Sequence, residues 1–369
     1  MIDWLEDELA GLRAGGLLRA RREPLVEPGP WVERGGRRLL NLCSNDYLSL
    51  AGRRVEAIAG SGASRLIAGD LVEHRSLERA LAAWLGTEDA LVFSSGYAAN
   101  VGTIAALAGP GTLVVSDALN HASLIDGCRL SRARVVVVPH LDVRAVAEAL
   151  AGASERRRLV VTDGYFSMDG TVAPIAGLAE ICRRERAGLY VDEAHALGVF
   201  GPEGRGVAAE AGVIPDVLMG TLGKAFGSSG AFVAGSAALT SWLWNAARSF
   251  VFSTGIAPAA AVAAMASLPE VRGGERTRRL RENCVRLRDS VSRETLLPST
   301  GPILPFLLGA PERAVAAMER LLEEGIFAQA IRPPTVPKGT SRLRVTVHAG
   351  HELEDLDRAA EALRRVLKG

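Results

Sequence analysis

The chain has 369 residues, 48% of them apolar, which is enough for one large and one smaller domain and excludes a disordered chain. Its 43 basic and 42 acidic residues leave a net charge of +1, which argues against a nucleic-acid surface and against a polybasic membrane anchor. Cys43, Cys128, Cys182 and Cys284 stand far apart, so no metal knuckle or CxxC motif exists, and scattered thiols fit a cytoplasmic protein. The acidic start Met1-Ile2-Asp3-Trp4-Leu5-Glu6-Asp7-Glu8 is not a signal peptide, and no apolar run approaches membrane-spanning length.

Residues 3–20 read as an amphipathic helix, followed by Pro24, Pro28 and Pro30. From about residue 88, short apolar runs alternate with helical patterns. The runs are Ala90–Phe93, Leu113–Ser116, Val135–Val138, Leu159–Asp163, Leu189–Asp192, Val217–Gly220 and Ala231–Ala234. Val143–Leu150 and Ile175–Arg186 are amphipathic helices between them. Continuous apolar strands separated by helices predict an α/β fold with a mostly parallel, seven-stranded sheet covered on both faces. After Pro258 the pattern changes. A helical stretch leads into charged Arg278–Arg293. Strands are expected at Ile303–Leu308, Ile326–Ile331 and Arg342–Val347, with helices at Glu312–Glu324 and Glu352–Leu367. The expected organisation is an N-terminal helix and arm (1–35), a large domain (36–257) and a smaller α+β domain (258–369).

In open parallel sheets, ligands bind beyond the carboxyl ends of the strands, so the residues closing each run carry the interest. Ser94-Ser95-Gly96-Tyr97 follows the first strand and opens a helix. Its free backbone N–H groups suit a phosphate, although Ser-Gly at such a place is also an ordinary N-cap. Tyr97 adds a ring. His121 follows the next strand among polar neighbours and reads as structural or as facing a cleft. Ser167 offers a hydroxyl at the rim, while Asp169-Gly170 reads equally as a turn. Asp192 ends an apolar strand with His195 three residues later. A buried aspartate needs a positive partner, which an arginine or a protonated pyridine nitrogen would supply.

The chain holds forty arginines and only three lysines: Lys224, Lys338 and Lys368. Lys224 lies in the uncharged, Gly-rich stretch Thr221-Leu222-Gly223-Lys224-Ala225-Phe226-Gly227, 32 residues after Asp192. A desolvated amine is nucleophilic and suits Schiff-base chemistry, which no arginine can perform. An amine beyond one strand and a carboxylate at the end of another can address opposite ends of a flat ring. The cofactor matching that pair is pyridoxal 5′-phosphate (PLP). Rival chemistries lack their signatures. Gly220-Thr221-Leu222-Gly223-Lys224-Ala225 has the wrong spacing for a P-loop, and no G-x-S-x-G or strand-linked G-x-G-x-x-G occurs.

Six ordered motifs carry a resemblance over essentially the whole chain: Ser44-Asn45-Asp46-Tyr47-Leu48, Ser95-Gly96-Tyr97-Ala98-Ala99-Asn100, Asn120-His121-Ala122-Ser123, Phe166-Ser167-Met168-Asp169-Gly170, Asp192-Glu193-Ala194-His195 and Thr221-Leu222-Gly223-Lys224. The chain resembles the α-oxoamine synthases, PLP-dependent acyltransferases of the aspartate-aminotransferase-like fold type I. The resemblance implies a homodimer with shared sites. Lys224 would form the Schiff base, Asp192 would pair with the pyridine nitrogen, and His195 would bond the phenolic oxygen. His121 would stack on the ring and Gly96 and Tyr97 would lie against it, with hydroxyls from Ser167 and Thr221. Ser253 and Thr254 would reach the partner subunit's phosphate. Thr335 and Arg344 are expected near the amino-acid carboxylate or acyl chain. Arg332 is a weaker candidate there, and Arg19, with Arg21 and Arg22 as alternative registers, is the expected N-terminal substrate arginine.

The stretch Ile331-Arg332-Pro333-Pro334-Thr335-Val336-Pro337 resembles the branch that condenses L-alanine with a pimeloyl thioester, on coenzyme A or acyl carrier protein, in biotin biosynthesis. The alternative is a glycine-using member of the family, such as a glycine C-acetyltransferase or a 5-aminolevulinate synthase. Two departures stand out: Ala196-Leu197 where relatives often carry a small polar pair, and Ala63 where Gly is common.

Overall fold

The computed structural model describes residues 4–19 and 21–367. Lys368 and the two end residues of the expected N-terminal helix, Asp3 and Ala20, lie outside them. The chain opens with α1 (Trp4–Ala14) and the hairpin β1 (Trp31–Arg34) and β2 (Arg37–Asn41). Next come α2 (Val72–Leu85), β3 (Asp89–Phe93), α3 (Gly96–Leu107), β4 (Thr112–Asp117), α4 (Ala122–Ser131), β5 (Arg134–Val138), α5 (Val143–Ala151), β6 (Arg157–Asp163), α6 (Ile175–Glu185) and β7 (Gly188–Asp192). Short α7 (Val207–Glu210) precedes β8 (Val217–Thr221), β9 (Ala231–Gly235), α8 (Ala237–Ala246), α9 (Arg248–Val251), α10 (Pro258–Gly273) and α11 (Glu275–Ser290). The chain finishes with β10 (Ile303–Gly309), α12 (Pro311–Glu323), β11 (Ile326–Phe327), β12 (Gln329–Ile331), β13 (Ser341–Thr346) and α13 (Leu353–Leu367).

Two compact units result. One holds residues 53–167 and 171–278, the other the chain up to 52, residues 168–170 and everything from 279. The divisions expected at 35/36 and 257/258 therefore fall at 52/53 and 278/279. Two packings account for this. β2 pairs in parallel with β11, which ties the N-terminal stretch to the C-terminal residues. α10 packs on α2, which keeps 258–278 with the larger unit.

The larger unit is built on the seven-stranded sheet, ordered β3-β9-β8-β7-β6-β4-β5. The β4/β5, β4/β6, β6/β7 and β7/β8 pairs are parallel, and β9 runs antiparallel to both its neighbours, β3 and β8. Every residue of β4, β8 and β9 is buried, which is why these strands read as unbroken apolar runs. Phe93, Val114, Val161, Tyr190, Met219, Val233 and Phe250 belong to one core cluster. β5 and β6, consecutive in the chain, pair on opposite sides of β4, so the connections diverge there. Such a divergence opens a crevice at the carboxyl ends, where ligands settle.

The smaller unit has two three-stranded sheets, β1-β2-β11 and β10-β13-β12. The expected strand Ile326–Ile331 is two strands in different sheets, divided at buried Ala328, because Ile326–Phe327 pairs with β2 and Gln329–Ile331 with β13. α13 buries Leu356, Ala359, Ala360, Leu363 and Val366, the i, i+3, i+4, i+7 stripe of a surface helix. α1 buries none of its residues and ends at Ala14, short of the expected length. Among the described residues no helix is long and apolar enough to cross a membrane.

Candidate active site

The site starts from Asp192, the last residue of β7, which is 2% exposed. Its Oδ2 accepts from Asn100 Nδ2 at 2.7 Å, and its Oδ1 from the Ala194 N–H at 2.8 Å. Asn100 lies on α3 and is itself held, donating to Ser123 Oγ (2.8 Å) and accepting from the Tyr190 hydroxyl (2.7 Å). Both donors to Asp192 are neutral, so the carboxylate is fixed without an arginine. That donor set fits a cationic ring nitrogen as the missing charge.

Asp163, at the end of β6, is its register partner. Burial and the neighbouring Asp192 charge push the Asp163 carboxyl well above the usual carboxylate range. Its Oδ2 accepts the His121 backbone N–H at 2.7 Å. Of these two neighbouring buried acids, Asp163 shapes the loop that carries His121.

His121 caps α4. Its Nδ1 lies 2.7 Å from Ser123 Oγ, while the residue keeps an exposed face. Partial burial of the ring lowers its pKa below 6.5; the Asp192 charge opposes this and the Lys224 ammonium adds to it. The ring is therefore neutral at pH 7. The same ammonium acts on Asp163. Lys224, His121, Asp192 and Asp163 thus sense one another's charge, so the sheet has gathered them into one place.

Lys224 is half-buried in the loop joining β8 to β9. The loop is tied by Leu222 N–H to Gly230 O (2.9 Å), Ser228 N–H to Leu222 O (2.9 Å) and Gly227 N–H to Lys224 O (2.8 Å). Gly230 has φ +95, and a Cβ there would stand 2.2 Å from Ile256 Cδ1, so only glycine closes the turn. Thr221, buried, donates its hydroxyl to Gly230 O at 3.1 Å.

At the start of α3, the Ser95 hydroxyl accepts the Ala98 N–H at 3.1 Å, the ordinary N-cap bond. A Cβ on Gly96 would meet nothing nearer than Met219 and Thr221, at 3.9 Å. Protein packing does not demand glycine there, and the open space over it is a cradle a ligand can use. Tyr97 is 51% exposed and donates its hydroxyl to Asp126 Oδ2 at 2.6 Å. Ser167 and His195 are buried in the turns after β6 and β7. Ser253 is half-buried and Thr254 exposed, in the segment between α9 and α10. The departure Ala196-Leu197 is buried, and Leu197 fills the space beside Gly220, where a Cβ would meet it at 2.5 Å.

Glu193 escaped the sequence reading. Fully buried, it accepts the Val207 and Ala208 N–H groups at the start of α7 (3.0 and 2.6 Å). Burial pushes its carboxyl up to about 7 against the pull of those two donors. Gly164 and Gly206 crowd the same carboxylate, since a Cβ on either would come within 2.8 Å of it. Asn100 and Asp163 escaped too, because their significance lies in partners 92 and 42 residues away.

Of the residues expected at the substrate, His121 lies in the larger unit and Arg19, Thr335 and Arg344 in the smaller one. Arg344, on β13 and 5% exposed, donates to Thr346 Oγ1 (3.0 Å) and Asn45 Oδ1 (2.9 Å). The adjacent buried arginine, Arg342, is instead ion-paired with Asp169 at 2.6 Å. Thr335 is exposed in a turn closed by its N–H to Arg332 O (3.1 Å). The Arg332 guanidinium donates to the carbonyls of Gly16 and Leu18, so it anchors the arm that leads to Arg19. Arg19 and Arg21 are exposed, and Arg22 approaches Met318 Sδ at 3.8 Å.

The model of the aminotransferase class I and II family matches residues 37–363. An 8-amino-7-oxononanoate synthase of Anaeromyxobacter sp. (strain Fw109-5) is 53% identical, covering 100% of this chain and 96% of that one. Its counterpart in Geobacter sulfurreducens is 48% identical, covering 98% and 97%. Among solved structures, a serine palmitoyltransferase from S. paucimobilis with a bound PLP–myriocin aldimine superposes with a TM-score of 0.92 at 28% identity, over 99% and 97% of the two chains. An 8-amino-7-oxononanoate synthase from Francisella tularensis superposes with a TM-score of 0.75 at 25% identity, over 89% and 98%. The fold is that of the type I PLP-dependent enzymes, and PLP is the cofactor that the family and the donor set around Asp192 both indicate. The chain belongs to the class I and II aminotransferase family and, within it, to the 8-amino-7-oxononanoate synthases.

Proposed function

We propose that this chain condenses L-alanine with a pimeloyl thioester, on coenzyme A or acyl carrier protein, to give 8-amino-7-oxononanoate, CO2 and the free thiol carrier. It does so as a homodimer in the cytoplasm, in biotin biosynthesis. The observation that carries this reading is Asp192: a buried carboxylate held by neutral donors, with a lysine and a neutral histidine in its field. PLP, when bound, supplies the electron sink that stabilises negative charge at the amino-acid α-carbon.

The residues have distinct tasks. Asp192 would hold the pyridine nitrogen, and His195 the phenolic oxygen. His121 would lie against the ring; because it is neutral at pH 7, it adds no positive charge beside Lys224. Gly96 and Tyr97 bound the cofactor, and Ser167 and Thr221 supply hydroxyls. Ser253 and Thr254 serve the phosphate bound in a second copy. The freed Nζ of Lys224 takes the proton from the alanine α-carbon. That carbon bonds to the thioester carbonyl carbon and the thiolate leaves. The alanine carboxylate then departs as CO2, and a proton returns to the same carbon. Arg344, with Thr335 and an N-terminal arginine, Arg19, orients carboxylate and acyl chain through charge-assisted hydrogen bonds.

The test is an assay of free thiol with pimeloyl-CoA and either alanine or glycine. We expect kcat/KM for alanine to exceed that for glycine by about 10-fold or more, the range one methyl group commands in a shaped pocket. Equal or better use of glycine would assign the chain to the glycine-using branch instead.

A further inference from the structure

Residues 60–70 form no helix or strand, and Ile67 within them is 82% exposed. A loop of this kind takes its place from internal turns and from its anchors to neighbouring elements. One side chain in it is nevertheless 3% exposed: Arg65. Its Nη1 and Nη2 donate to the two oxygens of Glu78, at 2.9 and 3.1 Å, and its Nε donates to Asp70 Oδ1 at 2.6 Å. Glu78, on α2, is itself 2% exposed, and its Oε1 also accepts the Val92 N–H of β3 at 2.9 Å. Arg75 completes the charge balance from the solvent side, donating to Asp70 Oδ2 at 2.9 Å. The guanidinium lies over the rings of Trp244 and Phe250, 5.5 and 5.7 Å from their centroids. A buried, bidentate arginine fork is a rigid nail, and lysine cannot reproduce its geometry.

What the nail fixes is next to it in sequence. Ser64 bridges Thr254, and the Gly255 N–H donates to Ala63 O at 3.0 Å. The Ser61 hydroxyl donates to Ile256 O at 2.7 Å. The inner turn is tight: Gly69 N–H reaches Ser64 O at 2.9 Å, and a Cβ on Gly69 would stand 2.0 Å from Ala63 O. The segment from Thr254 to Ile256 is held at its far end by His74 Nε2 against Ile256 O (2.7 Å) and otherwise by residues 61–64, whose own anchor is Arg65.

We infer that the Asp70–Arg65–Glu78 triad is a positioning device that sets Ser253 and Thr254 for the cofactor phosphate. The inference rests on the phosphate role proposed above for those two hydroxyls. None of the three triad residues touches the reacting atoms; their effect travels through the backbone of the loop.

The experiment uses the holoenzyme and two readouts: amide hydrogen exchange, and the rate of cofactor release on dilution, followed by loss of visible absorbance. In Arg65→Lys, amides of the 61–69 and 253–256 peptides should exchange faster while those of β6 do not. Cofactor release should quicken about tenfold, the lower end of what losing an outer orienting contact costs a bound group. Asp70→Asn, which leaves the Glu78 fork intact, should shift both readouts in the same direction by less. Faster exchange at 253–256 with an unchanged release rate would overturn the inference, as would unchanged exchange there. The paired control is Ser253→Ala with Thr254→Val. If it leaves release unchanged, the phosphate role itself fails and the inference falls with it. If it speeds release while Arg65→Lys and Asp70→Asn do not, the positioning claim alone fails.

Discussion

The two ends of the seven-stranded sheet differ in a way that volume alone does not reveal. At the amino ends, a cavity of about 780 Å³ opens beside Thr112, Arg157, Gly188 and Val217, with exposed Ile214 and Trp242 on its wall. Its carboxylates are occupied by backbone: Asp216 accepts the Leu189 N–H at 2.8 Å, and Glu88 the Ala237 N–H at 2.9 Å. At the carboxyl ends lie two buried aspartates in register, a neutral histidine and a half-buried lysine, close enough to feel one another's charge. A hollow is a place where something fits. A set of titratable groups taken out of water and left to regulate one another is a place where chemistry can happen.

The largest effect should come from Lys224→Ala at the carboxyl end. Turnover should fall about 10³-fold or more, the scale of a lost general base, and the visible band of the bound cofactor should vanish. Retained turnover would dissolve the distinction between the ends. Next comes Asp192→Asn, which keeps the shape and removes the charge. We expect about 10²-fold lower kcat, the scale of a lost electrostatic stabiliser. Since the Asp192 charge raises the His121 pKa, its loss should drive that pKa lower still, which an NMR titration of the ring would detect.

A smaller effect concerns Glu193, and its sign follows from linkage. Its folded pKa, about 7, is raised from 4.5, so between these values the native state binds more protons than the unfolded one. Stability is therefore lost as pH rises from 4.5 through 7, by up to about 3 kcal/mol. Glu193→Gln should flatten that slope in denaturant titrations at pH 5 and pH 8. An unchanged slope would mean the proton sits elsewhere. The smallest effect belongs to the amino end. Arg157→Gln and Ile214→Ser should change stability by less than about 0.5 kcal/mol and leave kcat unaltered. A tenfold loss of kcat/KM from either would give the cavity a function and break the comparison.

Legibility followed the same division between local pattern and long-range partnership. The seven strands of the large sheet were readable because each carries an unbroken apolar run, several of them closed by a polar residue as in Leu189–Asp192. Lys224 and Asp192 were readable for the same reason: each is a reactive group in an apolar setting. The hairpin β1–β2 was not read, since Arg37 and Arg38 disguise a strand whose buried residues, Leu39 to Asn41, lie at its end. The division of Ile326–Ile331 between two sheets depends on partners elsewhere in the chain. Glu193 has no role legible within Asp192-Glu193-Ala194-His195, and only the arrival of α7 makes it a cap. Arg332 carried a sequence signal, Arg-Pro-Pro, whose structural task is to hold the carbonyls of Gly16 and Leu18. Motifs identify residues that matter; they do not say what each one grips.

The hairpin-like setting of Lys224 has a mechanical consequence. β8 and β9 are hydrogen-bonded from Val217↔Gly235 up to Thr221↔Ala231, so the intervening residues are clamped at both feet. The amine is then a boom on a fixed mast. On the role proposed above, it would serve both the cofactor and the proton by rotating its own carbon arm from that fixed base. Such a part does not depend on a closing lid for its stroke, and its precision is set by how stiffly the mast is planted.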